Sequence, residues 1–415
     1  MVYNGIMKTN TLTIAVIGGG AAGLMLACAL KNKGQEIAVF ERGERVGRKL
    51  SATGNGQGNI TNLAVTNTPY FSSCEMDAKR AEKLISRFDD KALTDFFADL
   101  GVLLLPDSKG RVYPSGKQAS SLTDALRFTL AQSGVQMHTG AHILKIEWQN
   151  GVFCLLAREG EEEKKYYAQK VVLCTGGKAA KNFGTDGSAY ALAQNFGHTL
   201  TTLYPSLVQL KTDVKYTKTL KGIRVADGKL TACFGKEQVT VQGDILFTDY
   251  GVSGDAAFRV SAFIADKIQN ANVRLLMDFL PDVAETDLYD TLCRKRKAYP
   301  QLPTEELLFG IVNNQIGRAV MRRANGDLKE AARLIKAFDV AVTGTLGFDY
   351  AQVTKGGVPL KEVDDNLQSV YQKNLYFAGE ILDIDGQCGG FNLQWAFASA
   401  NAVGVAILQE CEGQV

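Results

Sequence analysis

Glycines at a fixed spacing near the start of the chain carry the clearest chemical signal. Gly18, Gly20 and Gly23 form the pattern Gly-x-Gly-x-x-Gly, which is typical of dinucleotide-binding turns. In such a turn the first glycine permits a sharp bend and the second lets the backbone approach a pyrophosphate. The third permits close packing of helix against strand. Glu41 ends the next apolar run, where its carboxylate can accept hydrogen bonds from an adenosine ribose. The spacing therefore predicts dinucleotide binding.

Further glycine-rich segments favour FAD over NAD. Five glycines lie within residues 43–58, too many for a core element, and they let the backbone run close to a large flat ligand. A mobile surface loop is the alternative interpretation of this segment. Two distant turns, 175–177 and 378–393, oppose that alternative because each follows a predicted buried strand. A helix that begins in the second of these turns would stabilise negative charge on the reduced flavin.

The predicted FAD contacts are the residues of these turns. They are Gly18, Gly20, Ala21, Ala22, Gly23, Glu41, Arg42, Lys49, Leu50, Thr53, Gly54, Asn59, Thr175, Gly176, Gly177, Gly379, Glu380, Gly390, Phe391, Asn392 and Leu393. The sequence has no second Gly-x-Gly-x-x-Gly, so a separate nicotinamide domain is not predicted. NAD(P)H, as electron donor, would then visit the flavin transiently.

Two side chains near the last turn are candidates for catalysis. Asp385 is the candidate proton donor because it adjoins the loop that is predicted to meet the flavin, and Cys388 lies within that loop. Both have ordinary alternatives, since Asp before Gly is a common turn former and cysteine is a common small packing residue. Asp383 flanks the same loop and is a further candidate acid.

Composition argues against several other classes of function. The 46 basic and 44 acidic residues give a net charge of +2, so no global field points to nucleic acid or membrane. The eight cysteines include no C-x-x-C pair, which argues against a zinc knuckle or a redox dithiol. His138 and His142 fall in a predicted strand, where their spacing forms no clamp, so no metal is predicted. Basic clusters at 294–297 and 318–323 are either a solvated helix face or an RNA-docking patch.

The elements that must position these residues begin with a strand, a helix and a strand. Residues 12–17 are a continuous apolar run, as expected for a parallel strand that is buried on both faces. A helical pattern over 22–33 ends at Gly34, and a second strand covers 37–40. Further along, Ser121 and Asp124 have the spacing of a capping box for a helix.

Changes in the sequence pattern divide the chain into five predicted segments. Residues 1–199 form the first part of an FAD-binding domain and 359–415 its second part. Residues 200–282 are rich in Thr, Val and Leu with Gly and Asp turns, which predicts an inserted β domain, and 339–358 return to strand character. Residues 283–338 have helical periodicity, which predicts a helical insert within that domain. The predicted fold class is α/β with a discontinuous Rossmann-like domain.

Several motifs resemble those of a known family, the BaiN-like or YhiN-like flavoproteins, often described as aminoacetone-oxidase-family FAD enzymes. The motifs span nearly the whole chain: GGGAAGLMLA at 18–27, GRKLSATGNGQGNITN at 47–62, GRVYPSGKQASS at 110–121, TGGKAAKNFGTDGSAYALAQNFGHTLTTLYPSLVQL at 175–210, LFTDYGVSG at 246–254 and AGEILDIDGQCGGFNLQWAFASA at 378–400.

The resemblance implies a glutathione-reductase-like FAD domain with an inserted β-barrel that carries a small helical subdomain. It implies an FAD-dependent oxidoreductase. The preferred interpretation is an NAD(P)H-driven reductase of an activated C=C bond in a small molecule. Family members are also associated with uridine reduction in ribosomal RNA, for which the helical insert would dock the RNA. Others are associated with oxidation of small amines of the aminoacetone type, which would produce hydrogen peroxide. These alternatives stay open at the level of sequence.

The chain departs from the family pattern at two places. Many members have Gly-Arg-Cys-Asn where this chain has Gly56-Gln57-Gly58-Asn59, so no role of that thiol is carried over. Asp249 and Asp255 stand where His and Pro are common, so a histidine proton donor is not expected there.

The first ten residues lack the cationic start and the apolar core of a signal peptide. A cytoplasmic location without membrane attachment is therefore expected. The sequence predicts no oligomeric state.

Overall fold

The computed structural model describes residues 11–412, and the chain divides into two compact units. One unit combines the residues up to Leu203 with those from Val353 onward, and the other is Tyr204–Gln352. These boundaries lie a few residues inside the limits of 200 and 358 that the sequence pattern predicts.

The elements follow in chain order. The strands up to Leu203 are β1 (Thr11–Ile17), β2 (Ile37–Glu41), β3 (Thr61–Asn62), β4 (Leu104–Pro106), β5 (Arg111–Pro114), β6 (Gln136–Thr139), β7 (Ala141–Gln149), β8 (Val152–Glu159) and β9 (Glu162–Leu173). The helices in that range are α1 (Ala21–Leu30), α2 (Arg48–Ala52), α3 (Glu75–Arg87), α4 (Asp90–Asp99), α5 (Ala119–Ala131) and α6 (Tyr190–Gln194).

The second unit contains strands β10 (Tyr204–Ser206), β11 (Leu210–Thr212), β12 (Arg224–Phe234), β13 (Glu237–Phe247), β14 (Gly251–Ser253), β15 (Arg274–Asp278) and β16 (Phe338–Thr345). Its helices are α7 (Asp255–Ile264), α8 (Glu285–Ala298), α9 (Asn314–Arg323) and α10 (Leu328–Lys336). The first unit resumes with β17 (Val353–Lys355), β18 (Leu375–Phe377) and α11 (Phe391–Glu412).

A seven-stranded sheet forms the centre of the first unit. Its order is β6-β2-β1-β9-β8-β7, and β18 pairs with the end of β9. Strands β6, β2, β1, β9 and β18 are parallel to one another, whereas β7, β8 and β9 form an antiparallel meander. Residues 14–17 of β1 are all apolar and buried, as a central parallel strand requires. The predicted Rossmann-like domain is therefore confirmed.

A closed antiparallel barrel forms the body of the second unit, in the order β11-β14-β13-β12-β15-β16. Side chains fill its interior, among them the fully buried Leu230, Ile245, Leu275 and Met277. Helices α8, α9 and α10 lie between β15 and β16 in the chain, which makes them an insertion within the β domain. The predicted β-barrel with a helical subdomain is confirmed.

Three local predictions differ from the structure. The capping box at Ser121 is wrong because α5 begins at Ala119, whose N–H donates to the Gly56 carbonyl at 2.8 Å. The last helix begins at Phe391 rather than near Leu393. Helix α7 lies in a segment whose Thr and Val content favoured strands throughout.

One helix in the described part of the chain is long and apolar enough to cross a bilayer by length and composition. It is the window Phe391–Cys411 in α11, and 67% of its most apolar stretch is buried inside the protein. The apolar surface of α11 packs against α1 and α3, as in the core helix of a folded domain.

Candidate cofactor site

Three glycine turns meet at one edge of the central sheet. β1, β9 and β18 are parallel, and Ile17 lies beside Leu173, which lies beside Phe377. The residues that follow these strand ends therefore emerge side by side. In an open α/β sheet this carboxyl edge is where ligands bind.

Each of the three glycines in the Gly-x-Gly-x-x-Gly pattern occupies its position for a different geometric reason. Gly18 has a φ of +106°, and a Cβ atom there would lie 2.4 Å from the Cys174 carbonyl oxygen. A Cβ atom on Gly23 would lie 1.9 Å from the Gly18 carbonyl oxygen, so helix α1 can approach β1 only with glycine here. At Gly20 a Cβ atom would meet no protein atom within 4 Å, which leaves space for a ligand beside the N-terminus of α1.

Glu41 ends β2 beside this turn. Its Oε2 accepts a hydrogen bond from Gly19 N–H at 2.9 Å, and its Oε1 accepts one from Gly43 N–H at 2.7 Å. These contacts fix the carboxylate. Each oxygen has a second lone pair, so the group can still accept a ribose hydroxyl.

A segment in which the sequence predicted no cofactor contact crosses the same edge. Residues 184–189, called here the strap, line a cavity with Glu41, Arg42 and Thr175. Arg42 Nη1 lies 3.0 Å from an Asp186 carboxylate oxygen, and its Nη2 donates to the Gly184 carbonyl. Hydrogen bonds from Ser188 and the guanidinium of Arg42 hold the pKa of Asp186 well below its usual range despite partial burial. The strap is thus tied to the end of β2 by an ion pair.

The next cluster joins Lys49 to Glu380. Lys49 Nζ lies 2.6 Å from Glu380 Oε2, although 331 positions separate the two residues. Glu380 Oε1 accepts a hydrogen bond from Thr354 N–H at 2.9 Å. A Cβ atom on Gly177 would lie 2.5 Å from Thr354 Oγ1, so this turn also needs glycine. The structure thereby brings together Lys49, Gly177 and Glu380, three of the predicted contacts.

Two buried hydroxyls at this edge have no hydrogen-bond partner among the described residues. They are Thr175 Oγ1, which lines the cavity, and the hydroxyl of Tyr190, whose side chain is 3% exposed. Burial and the carboxylates of Glu380 and Asp383 raise the pKa of Tyr190, so the phenol stays protonated and can donate. Buried polar atoms are normally paired, so these orphans fit a polar ligand such as a dinucleotide. Tyr190 was missed because nothing local marks it.

The last glycine turn is built around Asn392. Its Oδ1 accepts from Gly386 N–H at 2.8 Å, and its Nδ2 donates to the Gly386 carbonyl at 2.9 Å. Gly390 has a φ of +103°, and a Cβ atom there would lie 2.3 Å from the Thr61 carbonyl oxygen. Phe391 is buried, and its carbonyl accepts the Tyr70 hydroxyl at 3.2 Å. Asn392 thus shapes the loop from within.

Several other predicted contacts lie close by with structural contacts of their own. Asn59 Nδ2 donates to the carbonyls of Thr61 and Val112, and Thr53 Oγ1 donates to the Leu50 carbonyl. The remaining members are Ala21 and Ala22 in the first turn of α1, Leu50 in α2, Gly54 with a φ of +60°, Gly176 with a φ of +70°, Gly379 with a φ of +81°, and Leu393 in α11. Their cofactor roles stay predictions.

The candidate catalytic residues lie just before the 386–390 loop or within it. Asp385 is 1% exposed, and its backbone pairs with Phe71 in both directions, at 2.7 and 3.0 Å. Cys388 is half-buried and makes no disulfide. Asp383 is also 1% exposed and accepts from Ser73 N–H at 3.1 Å. Burial raises the pKa of Asp383, which favours its protonated form.

Within residues 11–412 no group of three side chains has the arrangement of a metal site. His138 lies in β6 and His142 in β7, and burial lowers the pKa of both. The imidazole of His198 is enclosed by Glu362 and Ser369, with which it hydrogen bonds.

The basic clusters of the helical insert make contacts within the second unit. Lys295 and Arg296 donate to backbone carbonyls. Arg322 pairs with a glutamate at 3.1 Å, and Arg323 pairs with the carboxylate of Asp339. These contacts favour a stabilising role for the cluster.

A family model and two relatives match this chain over nearly its full length. Residues 12–406 match the family model described as the HI0933-like protein Rossmann domain. The chain is 33% identical over 410 residues to the 3-dehydro-bile acid delta(4,6)-reductase of Clostridium scindens, which covers 95% of this chain and 98% of that protein. It is 27% identical over 409 residues to a ribosomal RNA dihydrouridine synthase of Haemophilus influenzae, covering 95% of this chain and 98% of that one.

A solved structure shares the fold over its whole length. The 3-ketosteroid-delta4-(5alpha)-dehydrogenase from Rhodococcus jostii RHA1 superposes with a TM-score of 0.51 and 15% identity. The match covers 97% of this chain and 98% of that chain. At this identity the likeness concerns the fold.

Proposed function

The chain belongs to the HI0933-like family and is an FAD-dependent oxidoreductase, and we propose that it reduces an activated C=C bond in a small molecule. The observation that carries the proposal is the similarity, over nearly the full length of both chains, to a protein named 3-dehydro-bile acid delta(4,6)-reductase. The open space at Gly20 and the two orphaned hydroxyls support the cofactor assignment.

Specific residues would hold the cofactor. The N-terminus of α1, beside Gly20, would bind the pyrophosphate through backbone N–H groups. Glu41 would accept the adenosine ribose, and Lys49 would add positive charge near the phosphates. The N-terminus of α11 would face the flavin ring and stabilise negative charge on it. When bound and reduced, FAD supplies the hydride for the C=C bond.

Reduction of a C=C bond also consumes one proton. Asp385 is the proposed donor, because its buried carboxyl directly precedes the 386–390 loop. Cys388 is the second candidate, and Asp383, whose pKa burial raises, can supply a proton to the same region. Catalytic acids are commonly tuned by such burial.

NAD(P)H is the proposed electron donor. The first unit contains a single Gly-x-Gly-x-x-Gly turn, so the nicotinamide would bind transiently at the flavin and leave before the substrate enters. The reaction would follow a ping-pong order. We also propose a cytoplasmic location, where this donor is available.

The test of the function uses purified holoenzyme. The flavin released by denaturation is identified, and NADH or NADPH consumption is followed with conjugated enones and, separately, with small amines and oxygen. We expect the released flavin to be FAD and the oxidation of NAD(P)H to depend on the enone. Amine-dependent hydrogen peroxide formation without enone reduction would overturn it in favour of an oxidase.

A second candidate is reduction of uridine in ribosomal RNA, which the name of the Haemophilus influenzae relative suggests. Its test is binding of a ribosomal RNA fragment at two salt concentrations, with Arg294→Glu and Arg318→Glu variants. If the helical insert docks RNA, binding should depend on salt concentration and should be weaker in both variants. If the enzyme acts on small molecules, it should bind the RNA fragment without specificity, and both variants should turn over enones as the wild type does.

A further inference from the structure

Asp383 is a buried carboxyl whose two oxygens have different surroundings. The residue is 1% exposed, and the partners of its Oδ2 are an N–H and a hydroxyl rather than a cation. Its Oδ1 has no hydrogen-bond partner in the described part of the chain. A carboxylate that is removed from water without a cation is costly, so burial favours a proton on this group.

The hydroxyl of Ser72 connects Oδ2 to the surface. Ser72 Oγ donates to Asp383 Oδ2 at 3.4 Å and accepts from Cys74 N–H at 3.2 Å. A hydroxyl has one proton and two lone pairs, so one lone pair is left to accept a proton from water. Ser72 is half-buried and the next four residues are exposed, which puts this hydroxyl at the boundary between solvent and the buried carboxyl.

The inner oxygen belongs to the cofactor side. Burial and the charges of Glu380 and Asp383 raise the pKa of the Tyr190 phenol, so both carboxyls lie within electrostatic range of it. The Tyr190 hydroxyl, like Asp383 Oδ1, is buried without a partner among the described residues. Asp383 therefore lies between a surface hydroxyl and the region where the cofactor contacts are predicted.

The segment 70–73 holds this carboxyl alongside the candidate proton donors. Its Ser73 N–H donates to Asp383 Oδ2 at 3.1 Å, and the backbone of Phe71 pairs with that of Asp385. The Tyr70 hydroxyl donates to the carbonyl of the residue that begins α11. One short segment thus fixes Asp383 and both ends of the 386–390 loop.

Reduction of a C=C bond consumes a proton that has to come from solvent. When the proton on Oδ1 moves inward, Asp383 is left as a carboxylate, and Oδ2 can take the proton of the Ser72 hydroxyl. Ser72 regains a proton from water through its remaining lone pair, and rotation of the carboxyl exchanges the two oxygens. One proton enters for each one used, and neither side chain keeps a changed charge.

Opposing effects suit Asp383 to this exchange. Burial raises its pKa, whereas hydrogen bonds from Ser73, Thr201 and Ser72 lower it by stabilising the carboxylate. A group that must both hold and release a proton works best when neither form is strongly favoured.

Resting on the proposed function, we propose that Ser72 and Asp383 form the path by which the proton consumed in C=C reduction enters from solvent. Asp383 is the carrier, and it passes its proton to the donor on the 385–388 segment. Proton supply and hydride transfer should therefore be separable by mutation.

The first experiment measures the carboxyl itself, independently of turnover. At neutral pH exposed carboxyls are ionised, so protonated carboxyls in the infrared spectrum of the oxidised holoenzyme are buried ones. The spectrum of the wild type minus that of Asp383→Asn should show one protonated-carboxyl band. Asp95→Asn, which removes an exposed acid paired with Lys91 on α4, is the matched control and should show none.

The second experiment separates the two half-reactions of Asp383→Asn by stopped flow. This variant keeps the shape of the side chain and an acceptor for Ser73 N–H, but it carries no exchangeable acid proton. Reoxidation of the reduced flavin by cyclohexenone should slow about a hundredfold, a usual effect of losing acid–base assistance. Reduction by NAD(P)H and FAD content should stay as in the wild type.

The third experiment tests the entry point with a matched pair of variants. Ser72→Thr keeps the hydroxyl, whereas Ser72→Val fills the same volume without it. Ser72→Val should turn over enones at least about tenfold more slowly than Ser72→Thr, because proton entry then limits the rate. Its rate should also fall further in heavy water. If Asp383→Asn does not fold, this pair alone decides.

The outcomes separate the path from the proposed function. Loss of FAD from Asp383→Asn would show that Oδ1 binds the cofactor and would overturn the path. Equal turnover by Ser72→Thr and Ser72→Val, or wild-type reoxidation by the enone in Asp383→Asn, would also overturn it. Absence of enone turnover in the wild type, with an infrared band that depends on Asp383, would overturn the reductase function and keep Asp383 as a buried proton carrier.

Discussion

Gly20 and Gly23 lie three positions apart and are required for different reasons. A side chain at Gly20 would enter the open space proposed for the pyrophosphate, whereas one at Gly23 would enter the packing between α1 and β1. Gly20→Val should therefore fold but retain less than about a tenth of the FAD, since the phosphate contact is lost. Gly23→Val should be destabilised by about 1–3 kcal/mol or more through overpacking.

The measurement is bound flavin per protein together with thermal unfolding of the apo forms. Apo forms are compared because bound FAD itself raises Tm. If Gly20→Val stays fully yellow, the phosphate site is wrongly placed. If Gly23→Val matches the apo wild type in Tm, the close packing at this turn does not govern stability.

His198 sits in a buried network that depends on its neutral form. Its Nε2 lies 2.7 Å from Ser369 Oγ, and its Nδ1 lies 3.2 Å from Glu362 Oε2. Ser369 Oγ also accepts from the N–H groups of Tyr371 and Gln372, so the hydroxyl proton is left for the imidazole. Burial lowers the pKa of His198, while Glu362 opposes the shift.

A depressed histidine pKa means that the unfolded chain binds more protons than the folded one below about pH 6.5. Stability should therefore fall as the pH drops from about 7.5 to 5, by up to about 1.4 kcal/mol per pH unit from this residue. His198→Gln should lose that part of the slope. His138 and His142 contribute with the same sign, so an unchanged slope in His198→Gln would show that they alone carry it.

The strap is the element that the structure adds to the predicted site. Its ion pair with Arg42 lines the cavity beside Glu41, and both partners are about a third exposed. In the proposed complex FAD would lie beside this ion pair, and its release would require the strap to move. Arg42→Gln and Asp186→Asn should each speed FAD release about fivefold, from a loss of about 1 kcal/mol.

The two strap variants should also be non-additive, because they remove the same interaction. FAD fluorescence after dilution measures the release rate. Arg127→Gln, which breaks a surface pair with Asp124 on α5, is the matched control and should leave the rate unchanged. Additive effects of Arg42→Gln and Asp186→Asn would show that the ion pair between these residues does not control the release rate.

The elements recovered from sequence are those whose signals are local. β1, α1 and β2 follow from an apolar run, a glycine fingerprint and a second apolar run. The start of α5 could not be predicted, since a hydrogen bond from Ala119 to Gly56 fixes it. Thr354 was missed for the same reason, because its partners at 178 and 179 lie far away in sequence.

At the scale of the whole molecule, the sequence patterns predicted the fold class, a Rossmann-like domain interrupted by an inserted β domain. The parallel strands, the inserted β domain and the helical insert each follow from a change in periodicity that a long segment sustains, whereas closure of the β domain into a barrel was implied by the family resemblance. The contacts at the cofactor edge could be predicted as a set of turns, but their pairing, such as Lys49 with Glu380, depends on the folded sheet. The substrate depends on chemistry that composition does not encode.

In the proposed reaction, the reduced flavin of this chain passes its electrons to a conjugated C=C bond. The most direct test reduces the holoenzyme anaerobically and mixes it, in a stopped-flow instrument, with an enone or with air-saturated buffer. We predict that the enone restores the oxidised flavin spectrum many times faster than oxygen does. Rapid reoxidation by oxygen, with no reoxidation by any enone, would contradict the claim.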